Sequence, residues 1–242
     1  MAVRHDDRRM RNWIGRHRNG GPMIVFDGAS RIDRTPIVGI VTGLVGCPSG
    51  NMKTGPMLQL WILPRDVHPY RAIQTGEDKG ICGACSHRPT LFKAAGVRRC
   101  YVGVHEAPTS VWRTYQRGVY LPFDAAGRRE LPIRLGAYGD PGALPPSAIT
   151  RALALSNGRS TGYTHRWRQR PDLRSTCMAS TDNAAETEIA RANGWRTYAI
   201  ADTDPGAVMC PASKEAGRRT VCFSCLLCSG SGTAKSVFIR AH

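Results

Sequence analysis

From Arg99 to Ile200, short apolar runs alternate with stretches of helical pattern, and this alternation constrains the fold more than any other feature of the sequence. Tyr101–Val104 reads as a strand, Pro108–Arg117 as a helix and Leu131–Tyr138 as a strand. Pro146–Ser156 reads as a helix, with proline near its first turn where the missing N–H costs nothing. Ser160–His165 and Ser175–Ser180 follow as strands. Asn183–Asn193 is a helix: Thr181 or Asp182 can cap it, Glu186 and Glu188 suit its early turns, and Gly194 stops it. Trp195–Ile200 is the next strand. Strands and helices alternating at this length imply right-handed βαβ units and a parallel sheet. The expected fold class is α/β, either an open parallel sheet or a partial (βα) barrel.

The chain before this region reads differently. Met23–Phe26, Ile37–Val41 and Leu58–Leu63 are short apolar runs bounded by Gly and Pro, as strands are. Tyr70–Gln74 is expected to pair with the Leu58 run across a Pro64–Pro69 turn. The organisation that follows is a basic arm (1–22), a β-rich N-terminal part (23–75) and an α/β domain (76–242) that carries two cysteine-rich loops (82–100 and 210–228).

Lys and Arg number 34 against 18 Asp and Glu, a net charge of +16, and most of the cations are Arg. Such a surface concentrates polyanions, and guanidinium suits bidentate phosphate contact. A nucleic acid or a phosphorylated substrate is therefore the expected partner; the alternative is a basic surface that only aids solubility. The sequence contains no RNA-recognition signature, zinc-finger helix spacing or zipper heptad. The arm Met1–Gly20 is followed by no apolar core of a secretory signal. No apolar stretch approaches the roughly 18 residues of a membrane span. The expectation is a soluble protein of a bacterial cytoplasm, without a membrane partner.

Nine cysteines are present, an odd number grouped at short spacings. That pattern favours metal clips over a disulfide framework. The sharper group is Cys210-Pro211 followed by Cys222-x-x-Cys225-x-x-Cys228. Three cysteines each three apart wrap one corner of a cubane, and a remote Cys-Pro completes the set, the same parts that ferredoxin-type [4Fe–4S] sites use. Zinc is the alternative, although zinc sites usually pair two C-x-x-C knuckles. The second group is Cys82-x-x-Cys85 with Cys100, for which Cys47, His87 and Cys177 are candidate fourth ligands. It is read as a second metal site, the alternative being a tight turn beside a core Cys100. Cys177 by itself reads as core.

In parallel sheets, ligands bind at the carboxyl ends of strands. Those ends carry His105 and Glu106, Tyr138-Gly139-Asp140-Pro141, Tyr163-Thr164-His165-Arg166-Trp167, Thr181-Asp182 and Asp202. His165, Asp140 and Asp182 are the candidate acid–base residues; Tyr138, Arg166 and Trp167 are the candidate substrate contacts, the aromatics as a stacking wall for a planar base. The alternative is that the two aspartates merely cap turns. The chain has no Walker loop, no G-x-G-x-x-G and no G-x-S-x-G elbow.

Residues 50–242 resemble a family of cysteine-rich proteins encoded by bacteriophages of actinobacteria and by related plasmids. The resemblance rests on Cys82-Gly-Ala-Cys85, Cys100-Tyr101-Val102, Arg134-x-Gly136-Ala-Tyr-Gly-Asp-Pro141, Thr161-Gly-Tyr-Thr-His165-x-Trp167, Met178-Ala-Ser180 and the final cysteine set. It implies a phage-type metalloprotein and brings no particular activity with it. A looser likeness to radical S-adenosylmethionine enzymes lies in a partial barrel with clusters. The chain has no C-x-x-x-C-x-x-C loop, and its first cysteines precede the run Tyr101–Val104. The leading expectation is an iron–sulfur protein with a rim pocket that acts on a nucleic acid or nucleotide. The second is a non-enzymatic nucleic-acid-binding or host-regulating protein with structural iron–sulfur or zinc.

Overall fold

The structure is a computed structural model, which describes residues 21–44, 49–88, 100, 102–217, 219–230 and 233–240. The basic arm and Cys47 fall outside the described residues, apart from Gly21 and Pro22. The first described elements are three strands: β1 (Met23–Ala29), β2 (Pro36–Thr42) and β3 (Leu58–Pro64). Residues 37–41 of β2 are buried without a break, and β3 is nearly so, as strands covered on both faces are. These strands form an antiparallel meander.

The α/β region adds α1 (Pro69–Thr75), α2 (Lys79–Cys82), α3 (Ala107–Gln116) and β4 (Leu121–Pro122). After these come β5 (Ile133–Tyr138), α4 (Pro146–Ala154), β6 (Ser160–Thr164), β7 (Met178–Thr181), α5 (Ala184–Ala192) and β8 (Thr197–Ile200). The chain closes with β9 (Ala207–Met209), α6 (Cys222–Cys225) and β10 (Ser236–Ile239). Among the described residues, all the strands belong to one ten-stranded sheet in the order β4-β1-β2-β3-β5-β6-β7-β8-β10-β9. From β3 to β9 every neighbour is parallel. The fold class is thus the expected α/β, as an open sheet with β4 and β9 at its ends. The β-rich N-terminal part joins that same sheet through β3 and β5.

Several local expectations are corrected. Tyr70–Gln74 lies in helix α1, not in a strand: His68 Nδ1 accepts from Tyr70 N at 3.2 Å, and Pro69 stands at the first turn. Of Tyr101–Val104, the described residues Val102–Val104 form no strand, so His105 and Glu106 do not follow one. Helix α5 is capped by Asn183, whose side chain accepts from Glu186 N at 2.9 Å, rather than by Thr181 or Asp182. Strand β9, just before the loop 210–228, adds an edge to the sheet.

The two faces of the sheet bury different things. One packs under the helices in the main apolar core, to which Leu60, Leu135, Cys177, Ala179 and Ala190 belong. Alternate residues point the other way. There, Met178, Tyr198 and Val237 join Cys210, Cys222 and Cys228 in a second, smaller cluster. Strand β5 breaks its register against β3 between the pairs Gln59–Arg134 and Trp61–Tyr138. Gly136 and Gly139 make this irregularity, with φ of 76° and 79°. A Cβ at Gly136 would stand 2.7 Å from the Gly139 carbonyl, and one at Gly139 2.7 Å from Ile62. The kink carries Tyr138 inward and delivers Asp140 to the rim.

Candidate metal centres

The C-terminal cysteines converge on one hollow. Cys210 follows β9 and donates its N–H to Phe238 O at 2.9 Å. Cys222 and Cys225 bracket the single turn of α6, which ends with Leu226 in the left-handed region, φ 50°. That bend turns the chain so that Cys228 faces back toward the other three. The loop is pinned at several points. Cys222 N donates to Lys53 O at 3.0 Å, Phe223 N to Thr54 O at 2.9 Å, and Gly162 N to Cys228 O at 2.9 Å. Arg196 holds the carbonyls of Leu227 and Lys235 at 2.6 and 2.7 Å.

All four cysteines line a cavity that encloses about 270 Å³ of atom-free space, part of it open to solvent. The other walls are apolar or hydroxylic: Thr161, Pro211, Leu226 and Val237 among them. No three of the sulfurs lie within 4.8 Å of one another. Around one tetrahedral zinc, thiolates at 2.3 Å would stand only about 3.8 Å apart. A cubane spreads its thiolates wider, because each binds a different iron corner. Burial pushes the Cys228 thiol well up, with the charges of Cys210, Cys222 and Cys225 adding to it, and burial also raises Cys222. Thiolates in such a place need a cation to stabilise them. Four thiols that line one hollow are the donors the expected cluster would need.

The rim holds the second group. After α2, whose last residue is Cys82, the loop 83–88 folds back over the carboxyl ends of β6 and β7. Arg88 staples it. Its guanidinium donates to both oxygens of Asp78, at 3.1 and 2.6 Å, and to the carbonyls of Gly83 and Gly76 at 3.3 and 2.8 Å. Both partners are buried. The staple presents Ser86 and His87 to Asp182, which follows β7. Ser86 Oγ donates to one carboxylate oxygen of Asp182. His87 Nε2 and His165 Nε2 both face the other oxygen, at 3.1 and 3.4 Å. Cys85 Sγ lies 3.8 Å from that same His165 nitrogen. Burial opposes the charge of Asp182, yet its contacts with His165, His87 and Ser86 hold the carboxyl well below the usual range. Burial likewise opposes charge on His165, but Asp182 and Cys85 raise its pKa well above the ordinary value.

Asp140 stands directly behind this group. One carboxylate oxygen accepts from Gly142 N at 2.7 Å and Thr164 Oγ1 at 2.6 Å, the other from His165 N at 2.8 Å. It positions the backbone of His165, and its lone pairs are engaged. Of the three acid–base candidates, the structure brings His165 and Asp182 together and sets Asp140 as their support. Tyr138 is buried, and its hydroxyl has no hydrogen-bond partner. Burial pushes that phenol well up, followed by the charges of Cys82, Asp78 and Cys100. Trp167 is 3 % exposed and belongs to the core, with the Arg168 guanidinium 3.9 Å above its ring. The expected stacking wall is thus absorbed into the interior. Arg166 packs against Gly142 and Gly83 beside the rim loop. Thr181 bonds Thr187, and Asp202, His105 and Glu106 are exposed away from the group.

The expected cysteine group of the rim is loosened by the same geometry. Cys82, Cys85 and Cys100 sense one another's charge, but their sulfurs do not gather within 4.8 Å. Cys85 instead adjoins His165. His87, expected as a candidate fourth ligand of that cysteine group, stands instead with Asp182 and His165. Cys177 is fully buried in the main core. Ser86 and the Asp78–Arg88 staple were not found from sequence; a carboxylate and a guanidinium ten residues apart give no periodic signal. Comparison of the chain with protein-family models, curated proteins and solved structures finds no match. No helix among the described residues is long and apolar enough to cross a membrane.

Proposed function

We propose that this chain is an iron–sulfur protein of phage type, whose Cys210, Cys222, Cys225 and Cys228 hold a [4Fe–4S] cluster. In this reading, the rim of its sheet acts on a nucleic acid or nucleotide. The observation that carries the cluster is the convergence of four cysteines, from two separate segments, on one apolar-walled hollow. With a cysteine for each iron, the cluster stabilises the fold or transfers electrons. The net charge of +16 supports a polyanionic partner. The imidazoles and carboxylate of the rim support chemistry at that edge. Anaerobic purification tests the reading. The expected result is brown protein with broad visible absorption from thiolate-to-iron charge transfer, and iron and labile sulfide in equal amounts. Colourless protein with zinc bound to the C-terminal cysteines would refute the cluster.

A second reading has one observation in its favour. Tyr138 and Trp167 are buried, so the rim lacks the exposed aromatic wall on which a base would stack. That favours a non-enzymatic nucleic-acid-binding or host-regulating protein with structural metal. Turnover of nucleotides or oligonucleotides by the metal-loaded protein separates the two.

A further inference from the structure

In the rim group two imidazoles crowd one carboxylate oxygen. In a catalytic triad, the base uses one ring nitrogen for the nucleophile and the other for the carboxylate. Here Cys85 and Asp182 approach the same nitrogen of His165. His87 Nε2 stands at hydrogen-bond distance from Asp182 Oδ1, 3.1 Å, and His165 Nε2 at 3.4 Å from the same atom, both longer than the roughly 2.7–2.9 Å of a charge-assisted bond. Those separations match a different object. Around a tetrahedral zinc with Zn–N and Zn–O bonds near 2.0–2.1 Å, neighbouring donors stand about 3.3 Å apart.

We propose that His87, His165 and Asp182 bind a single zinc ion through three protein ligands, with water in the fourth position. The three donor atoms all lie within 4.8 Å of one another, and they are the only such set among the described residues. The supporting contacts are those of a metal site: Ser86 holds the second carboxylate oxygen, and Asp140 fixes the backbone of His165. Each side chain is about one-fifth exposed, which leaves a path for the ion and for water. Two imidazoles and a carboxylate suit zinc better than the hard-oxygen cations. Three ligands with an open position are the mark of a catalytic rather than a closed structural site, because bound water is then acidified toward neutrality. Cys85 stands beside the site, outside the ligand set.

The test counts metals in the full chain, purified with any cluster intact, and then measures zinc affinity against a competing chelator. One zinc per chain is expected in addition to the iron. His87→Ala, His165→Ala and Asp182→Asn should each lose it, and Ser86→Ala should weaken it by about 10- to 100-fold. Cys85→Ser and Cys225→Ser should keep it. His87 lies on a surface loop, so His87→Ala tests the site even where a rim substitution on a strand end impairs folding. Zinc retained by both His87→Ala and Asp182→Asn overturns the assignment, and so does zinc that disappears with Cys225→Ser while circular dichroism shows that variant folded. Iron and sulfide in excess of one cluster, lost with Cys82→Ser and Cys85→Ser, would replace the zinc site with a second cluster.

Discussion

The two donor groups are built on opposite principles. The C-terminal hollow uses one residue type, spread out, in apolar surroundings, on loops that need backbone pins to stay in place. The rim uses imidazole, carboxylate and hydroxyl, drawn close together, on strand ends and a stapled loop. Soft, separated donors select a multi-iron cluster; borderline, crowded donors select one ion. The comparison teaches that ligand type and ligand spread differ between two donor groups of one sheet, and the two proposed metals follow that difference.

The largest expected effect comes from removing one side of that comparison. Cys225→Ser should lose the iron and its visible colour and lower stability by more than about 4 kcal/mol, because metal-binding energy in such sites is folding energy. Rim zinc should stay, provided the fold survives. Iron content equal to that of the wild type would break the comparison at its first term.

Arg88→Ala acts on the other side. It leaves Asp78, 1 % exposed, without its partner. Breaking a buried pair in this way costs about 3–5 kcal/mol. Urea unfolding should register that loss, and chelator competition should record weaker zinc binding as the loop that carries His87 comes loose. The visible spectrum should not change. Equal zinc affinity in this variant would mean that the staple and the site are independent.

The legible part of this molecule was what the chain repeats at short range. The βα alternation gave the parallel strands β5 to β8 and helices α3, α4 and α5 to within a few residues. The grouping of the C-terminal cysteines was legible because three of them recur every three residues, which keeps them on one short loop that meets Cys210 at the hollow. The rim was half legible. His165 and Asp182 could be placed at strand ends, but their contact with His87 spans some 80 to 95 positions in the chain and depends on how loop 83–88 folds over them. Trp167 and Tyr138 were misread as exposed for the same reason. Position after a strand gives the edge, not the direction in which a side chain turns, and the β5 irregularity at Gly136 and Gly139 turns Tyr138 inward. Tyr70–Gln74 carried too short a pattern to tell strand from helix until His68 and Pro69 were recognised as a helix start.

A third prediction asks whether the charge depends on either metal. Binding to DNA or RNA at low salt should weaken steeply as salt rises, since phosphate contacts release counterions. Removing residues 1–20, which carry six Arg against Asp6 and Asp7, should reduce the log–log slope by up to about four. Cys225→Ser and His87→Ala should leave the slope unchanged. A slope that collapses with either would tie the polyanion to a metal site. No binding at roughly 50 mM salt would reduce the charge to a solubility feature.

The smallest expected effect is the control that makes the comparison sharp. Cys177 is fully buried between the two groups in sequence, and burial pushes its thiol up to about 12. A thiol that resists ionisation in this way is a packing element. The backbone of Gly230 lies against it so closely that a Cβ there would stand 2.4 Å from Cys177 N. Cys177→Ala should therefore cost about 1 kcal/mol, the loss of a single buried atom with partial collapse around it. Iron and zinc contents should match those of the wild type. The pH dependence has a definite sign. Because the folded pKa is raised, the contribution of this thiol is complete below the unfolded value near 9 and is lost as pH climbs toward 12. The wild type should thus lose stability over that alkaline range, and the alanine variant should lose less. Cys177→Ala that strips iron or zinc would make Cys177 a ligand and redraw the boundary between the two sites.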